Sequence, residues 1–153
     1  NMVACYPRPN YKVEPPYGAV PKKNWPDYSD QSQVALFVSP LSNGCESRFS
    51  FAASGKISAS SPTDAAAVAT IQRLRLDHEE LTAYRKAAIR ATLSPNNKPF
   101  SLSVASAQLR LDGLRRSERS GAKLEQFCFV LRQALERHIE RATARRDGKL
   151  KRR

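Results

Sequence analysis

The stretch T-D-A-A-A-V-A-T-I-Q-R-L-R-L, residues 63–76, reads two ways, and the fold turns on which reading holds. Its alanines favour a helix, and Thr63 or Asp64 stands where an N-cap side chain would accept a bond from an orphan backbone N–H. Val68, Thr70 and Ile71 suit a strand instead, and Ser61-Pro62 would lead naturally into one. Local propensity alone predicts a helix.

Working outward, Gln33-Val34-Ala35-Leu36-Phe37-Val38 is almost continuously apolar, as expected of a strand covered on both faces. Ser39-Pro40-Leu41-Ser42-Asn43-Gly44 breaks it with turn residues. A short helix is expected from Cys45 to Ala53, with Phe49 and Phe51 among its apolar residues and Ser54-Gly55 at its end. Downstream, Leu81, Tyr84, Ala88 and Ile89 fall at helical spacing over residues 77–93. Asp77, Glu79 and Glu80 lie in the first turn, where the helix dipole favours negative charge, and Ser94-Pro95-Asn96-Asn97 is the stop.

Two alternating runs follow. Phe100, Leu102 and Val104 alternate with serines, and Leu109 and Leu111 alternate with Gln108 and Arg110, which predicts an antiparallel strand pair. Ala122 to Ala144 reads as one long helix after a Ser120-Gly121 break, with Leu124, Phe127, Cys128, Leu131, Leu135, His138 and Ile139 on one stripe. This order predicts an α+β or α/β single sheet with helices packed on it. The organisation expected is an arm over 1–30, one domain over 31–144 and a basic tail over 145–153.

The arm has its own composition. Six of the ten prolines (Pro7, Pro9, Pro15, Pro16, Pro21, Pro26) lie in it, interleaved with Tyr6, Tyr11, Tyr17, Trp25 and Tyr28. Proline removes backbone donors, so an extended segment rich in polyproline II is expected. Five large rings point to an arm that docks, either on its own chain or on a neighbour.

Lys and Arg number 26 against 14 acidic residues, a formal net charge of +12. Such an excess repels itself and makes most sense beside a polyanion. No run approaches the roughly 18 apolar residues that would span a bilayer. A surface anchor would set bulky apolar residues opposite its cations, and the C-terminal basic stretch lacks them. RNA is the favoured partner. The cysteines Cys5, Cys45 and Cys128 are odd in number and far apart, which is no disulfide framework and points to a reducing or matrix-like compartment. Asn1-Met2 opens the sequence without an apolar signal core, as would a chain whose targeting segment has been removed, or a fragment.

Catalytic signatures are sparse. With six glycines, neither G-x-G-x-x-G nor G-x-x-x-x-G-K-[ST] occurs. His78 and His138 are too scattered to form a metal set with the isolated cysteines, so no metal and no cofactor is expected. His138 is expected to pack at the edge of the last helix. Asp77-His78-Glu79-Glu80 resembles an acid–base cluster, but adjacent helical residues point in different directions, and helix-start charge accounts for it. Cys45 follows the first expected strand, where a redox enzyme keeps its thiol, but no C-x-x-C partner is present. The chain is expected not to be an enzyme and to take no small-molecule substrate.

What remains is basic charge. Arg141, Arg145, Arg146, Lys149, Lys151, Arg152 and Arg153 are opposed only by Asp147. Arg110, Arg115, Arg116, Arg119 and Lys123 surround the break before the last helix, and Lys22 and Lys23 stand beside Trp25. Arg predominates in the first two groups, and its planar fork suits phosphate. These residues are the candidate RNA contacts, and their pattern argues backbone recognition in a fixed assembly rather than sequence readout.

The stretch V-A-L-F-V-S-P-L-S-N-G-C-E-S-R-F-S-F (34–51), followed by G-K-I-S-A-S-S-P-T-D-A-A-A-V (55–68), resembles the family of mitochondrial large-subunit ribosomal protein fifty-three. Pro40-Leu41, Glu46-Ser47, Lys56 and Ser60-Ser61-Pro62 carry the likeness, and L-E-R-H-I-E-R-A (135–142) is similar to the family's closing helix. Ser61 stands where the family usually has Asn before the proline, and residues 77–98 look like an inserted helix. The resemblance implies a thioredoxin-like fold, shared with several mitochondrial ribosomal proteins and an accessory subunit of respiratory complex I. It also implies a strand over Ala66 to Arg73, against local propensity, and a strand pair at about 100–114. The function it implies is structural: a mitoribosomal large-subunit component in the mitochondrial matrix, touching rRNA and neighbouring ribosomal proteins. An accessory structural subunit of complex I shares the implied fold and is the rival reading; the basic extensions favour the ribosome.

Overall fold

The computed structural model describes residues 15–95, 98–99, 101–121 and 123–150, the last five by backbone alone. Tyr6, Tyr11, Cys5, Phe100, Lys151, Arg152 and Arg153, and the side chains of Arg146 and Lys149, lie outside the described residues. The chain divides into two compact units, Asn1–Ala83 and Tyr84–Arg153, and is α+β: helix-rich, with a two-stranded antiparallel sheet.

In the first unit, residues from 15 onward are not purely extended. A one-turn helix, α1 (Ala19–Lys22), includes Pro21. Proline is tolerated there because the first turn has no internal partners for its N–H groups. Two of the segment's three described aromatic residues dock on their own unit. Tyr17 is buried 5.6 Å from the His78 ring, and Gly18 N donates to Leu74 O. Trp25 meets Phe37 edge-on at 5.4 Å, with the Arg73 guanidinium 5.9 Å from its indole ring. Tyr28 stays exposed.

The strand expected over residues 33–38 is absent. Gln31–Ala35 is a helix, α2, because Asp30 caps it by accepting from Ser32 N at 2.9 Å. Beyond it the chain runs to Val38, whose buried N–H donates to Thr70 Oγ1 at 2.9 Å instead of to a strand. The helix expected over 45–53 is likewise corrected. A 3-10 turn at Cys45–Arg48 leads straight into β1 (Phe49–Phe51), which pairs antiparallel with β2 (Ile57–Ala59) in the register Phe49↔Ala59, Ser50↔Ser58, Phe51↔Ile57. Phe49 and Phe51 are buried on one face. Ser54-Gly55, read as a helix end, belongs to the hairpin loop; Gly55 adopts φ 83, the left-handed region open to glycine.

Residues 63–76 resolve as local propensity predicts. Helix α3 (Ala65–Arg73) is capped by Asp64, which accepts from Ala67 N at 3.0 Å, and it buries Ala66, Ala67, Thr70 and Ile71. The strand implied by resemblance over Ala66 to Arg73 is therefore not formed. An alanine-rich run with a capping carboxylate outweighs three β-branched residues.

Helix α4 (Glu79–Leu93) matches the element expected over 77–93 and carries Glu79 and Glu80 in its first turn. In the second unit the expected strand pair is replaced by α5 (Val104–Arg119). Ser103 caps it by accepting from Ser106 N at 3.1 Å, and Ala107, Leu111 and Leu114 are buried at helical spacing. The last helix, α6 (Cys128–Leu150), starts later than Ala122 because Phe127 adopts φ 60 and Gly121 φ 65, which no right-handed helix accommodates. It continues through Leu150, so residues 145–150 extend the helix and are not a separate tail.

Helices stand at 31–35, 65–73 and 104–119, over residues expected in part to be strands. No helix among the described residues is long and apolar enough to cross a membrane.

Candidate nucleic-acid interface

Helices α5 and α6 pack on each other as an antiparallel hairpin. Cys128, Leu131 and Leu135 give α6 a buried stripe to match Ala107, Leu111 and Leu114 on α5. Ion pairs fix the direction. Arg132, near the start of α6, donates to Glu118 near the end of α5 at 2.8 Å, and Arg115 donates to Glu136 one turn further along at 2.9 Å. His138 Nε2 lies 2.8 Å from Leu102 O, so it carries the proton and donates, which is a packing role.

This geometry sorts the basic residues. Arg110 is gripped by both carboxylate oxygens of Glu125, and Arg115 is paired with Glu136. Both pairs are partly exposed, and pairs of this kind exchange partners at little cost. Arg116 and Arg119 are exposed at the end of α5, and Lys123 is exposed in the turn; none has an acidic partner among the described residues. These three lie at the end of α5 and in the turn that follows it.

Arg141 and Arg145 are exposed on α6 and likewise carry no ion pair among the described residues. At about 1.5 Å per residue, Arg141 stands on the order of 20 Å beyond Cys128, so the hairpin carries basic charge at both ends and does not merge it. The α6 C-terminus is also where the helix dipole favours cations. In the first unit, Lys22 ends α1 and is half-buried, and Lys23 is exposed with φ 51. Glu125 and Glu136, which neutralise two of the expected RNA contacts, escaped sequence reading. Their partners lie 15 and 21 residues away and meet only once α5 is a helix folded against α6.

No family model, curated protein or solved structure matches the chain.

Cys45 is buried, with its Sγ 3.6 Å from Pro40 O and 3.8 Å from Glu46 Oε2. Burial, then the Glu46 carboxylate, push the thiol pKa up, opposite to what a nucleophilic thiolate needs. Burial, then Glu118, do the same to Cys128. His78 Nδ1 accepts from Glu80 N at 3.3 Å at the start of α4, which places the Asp77–Glu80 cluster at a helix terminus. Among the described residues no group of three His, Cys, Asp or Glu side chains is arranged to hold a metal ion.

Proposed function

We propose that this chain is a non-catalytic structural component of an RNA–protein assembly, and that the assembly is the large subunit of the mitochondrial ribosome. The observation that carries the first half is the α5–α6 hairpin, which leaves Arg116, Arg119 and Lys123 at one end and Arg141 and Arg145 at the other exposed and without an ion pair among the described residues, in a chain of net charge +12. Exposed cations on helices and in their turn, without acidic partners among the described residues, support phosphate contact. The second half, with the mitochondrial matrix as location and ribosomal proteins as neighbours, rests on the resemblance over residues 34–51 and 55–68. A thioredoxin-like sheet is not needed for this role, and the reading does not depend on one.

The test is RNA binding by the purified chain as a function of salt. Each phosphate contact adds about 0.7–0.9 to the slope of log affinity against log salt. Replacing Arg116, Arg119 and Lys123 together by Gln is expected to lower that slope by about two units. Arg115→Gln, which removes a paired cation, is expected to change it by less than one. A slope that the triple variant leaves untouched contradicts the assignment of these three residues.

A further inference from the structure

The turn of the α5–α6 hairpin holds a cavity of about 460 Å³, within the range of small-ligand sites. Gly113, Leu114 and Ser117 line it from one face of α5, and Lys123 and Leu124 line it from the turn. Arg110 and Glu125 also line it and are bonded to each other, whereas Lys123 has no ion pair among the described residues.

Gly113 is the second observation. It sits in the middle of α5, where glycine is among the least favourable residues. A Cβ placed on it would meet no atom within 4 Å, and its backbone is not in the left-handed region. Neither close packing nor backbone strain accounts for a glycine there. Gly113 lines the cavity, and a side chain added there would project into open space.

We propose that this cavity receives one unpaired nucleotide of RNA; the proposal deepens the RNA-contacting reading above and rests on it. The Lys123 ammonium is placed for the phosphate and the aliphatic walls of Leu114 and Leu124 for the face of the base, while the Ser117 hydroxyl, which donates to Gly113 O at 3.3 Å, keeps its oxygen to accept from a polar edge. A paired base cannot enter, because its faces are stacked and its edge is occupied. The hairpin then reads local RNA shape, a bulge or loop, in addition to phosphate charge.

The experiment is fluorescence anisotropy with the full chain and two labelled RNA hairpins that differ only in one bulged nucleotide, at fixed salt. The bulged RNA is expected to bind about tenfold tighter. Gly113→Leu fills the cavity from a helix-favouring residue, so the ratio of the two affinities should fall to about one with no loss in melting temperature. If that variant melts early, Lys123→Gln takes its place, again with the ratio expected to fall toward one. Binding of both RNAs with a ratio near one in the unmodified chain, or a tenfold ratio that survives Gly113→Leu, overturns the nucleotide cavity and leaves the phosphate-binding role standing. No binding to either RNA overturns both.

Discussion

Arg48 donates through Nε and Nη2 to the two carboxylate oxygens of Asp64, at 2.8 and 2.5 Å, while the same carboxylate caps α3 through Ala67 N. One side chain thus joins the 3-10 turn before β1 to the helix after β2. Hydrogen bonds from Arg48 and then Ala67 N hold the Asp64 carboxyl down at about 2, against an ordinary 3.8. Because the folded value lies below the unfolded one, this contribution is fully present above about pH 4 and is lost as pH falls toward 2. Asp30, lowered by Ser32 and Gln33, works in the same direction. Acid titration of stability should therefore show a limb below about pH 4. Asp64→Asn keeps a capping group and should shallow that limb, whereas Asp64→Ala should also cost about 1 kcal/mol at neutral pH.

Thr70 is buried on α3 and serves two backbone groups, accepting from Val38 N at 2.9 Å and lying 3.5 Å from Leu36 O, to which its hydroxyl donates. Thr70→Val preserves shape but strands the Val38 N–H in the interior. Urea unfolding should show a loss of about 1–3 kcal/mol with little change in m. A neutral result would mean that this bond does not hold the 36–38 segment.

How far the sequence was legible follows from where two periodicities compete. Residues 63–76 carry a capping Asp64 and residues 77–93 an acidic first turn, and each stretch forms a helix. Residues 100–111 alternate like a strand, which would put Leu109 and Leu111 on one face. The structure exposes Leu109 (71 %) and buries Leu111 (3 %), because Ala107, Leu111 and Leu114 fit a helical stripe once Ser103 caps it. The apolar run over 34–38 failed for a similar reason: Asp30 starts a helix there, and the partner of Val38 N is a threonine 32 residues away. The basic residues themselves could be read directly. Which of them are neutralised could not, since Glu125 and Glu136 reach Arg110 and Arg115 only through the hairpin.

Leu135 is fully buried in the hairpin, opposite the stripe of α5. Leu135→Ala should cost about 2–5 kcal/mol, part transfer and part cavity. If the hairpin is the RNA-bearing element, this variant should also weaken RNA binding at temperatures where it begins to melt, and recover on cooling.

The two described thiols should be inert in the native protein. Cys45 and Cys128 are buried and their pKa values are raised. Alkylation at neutral pH followed by peptide mapping should label both far more slowly than after unfolding. Fast native labelling of Cys45 would revive a thiol-dependent activity. Cys45→Ser, conversely, should leave assembly unchanged.

The central claim is membership of a ribosomal particle held by RNA, and sedimentation tests it most directly. Tagged protein from lysed mitochondria would be run on a sucrose gradient with and without RNase. Co-migration with the large ribosomal subunit, lost after RNase, is the predicted result. Migration with a detergent-solubilised respiratory complex, or in a particle indifferent to RNase, would contradict the account.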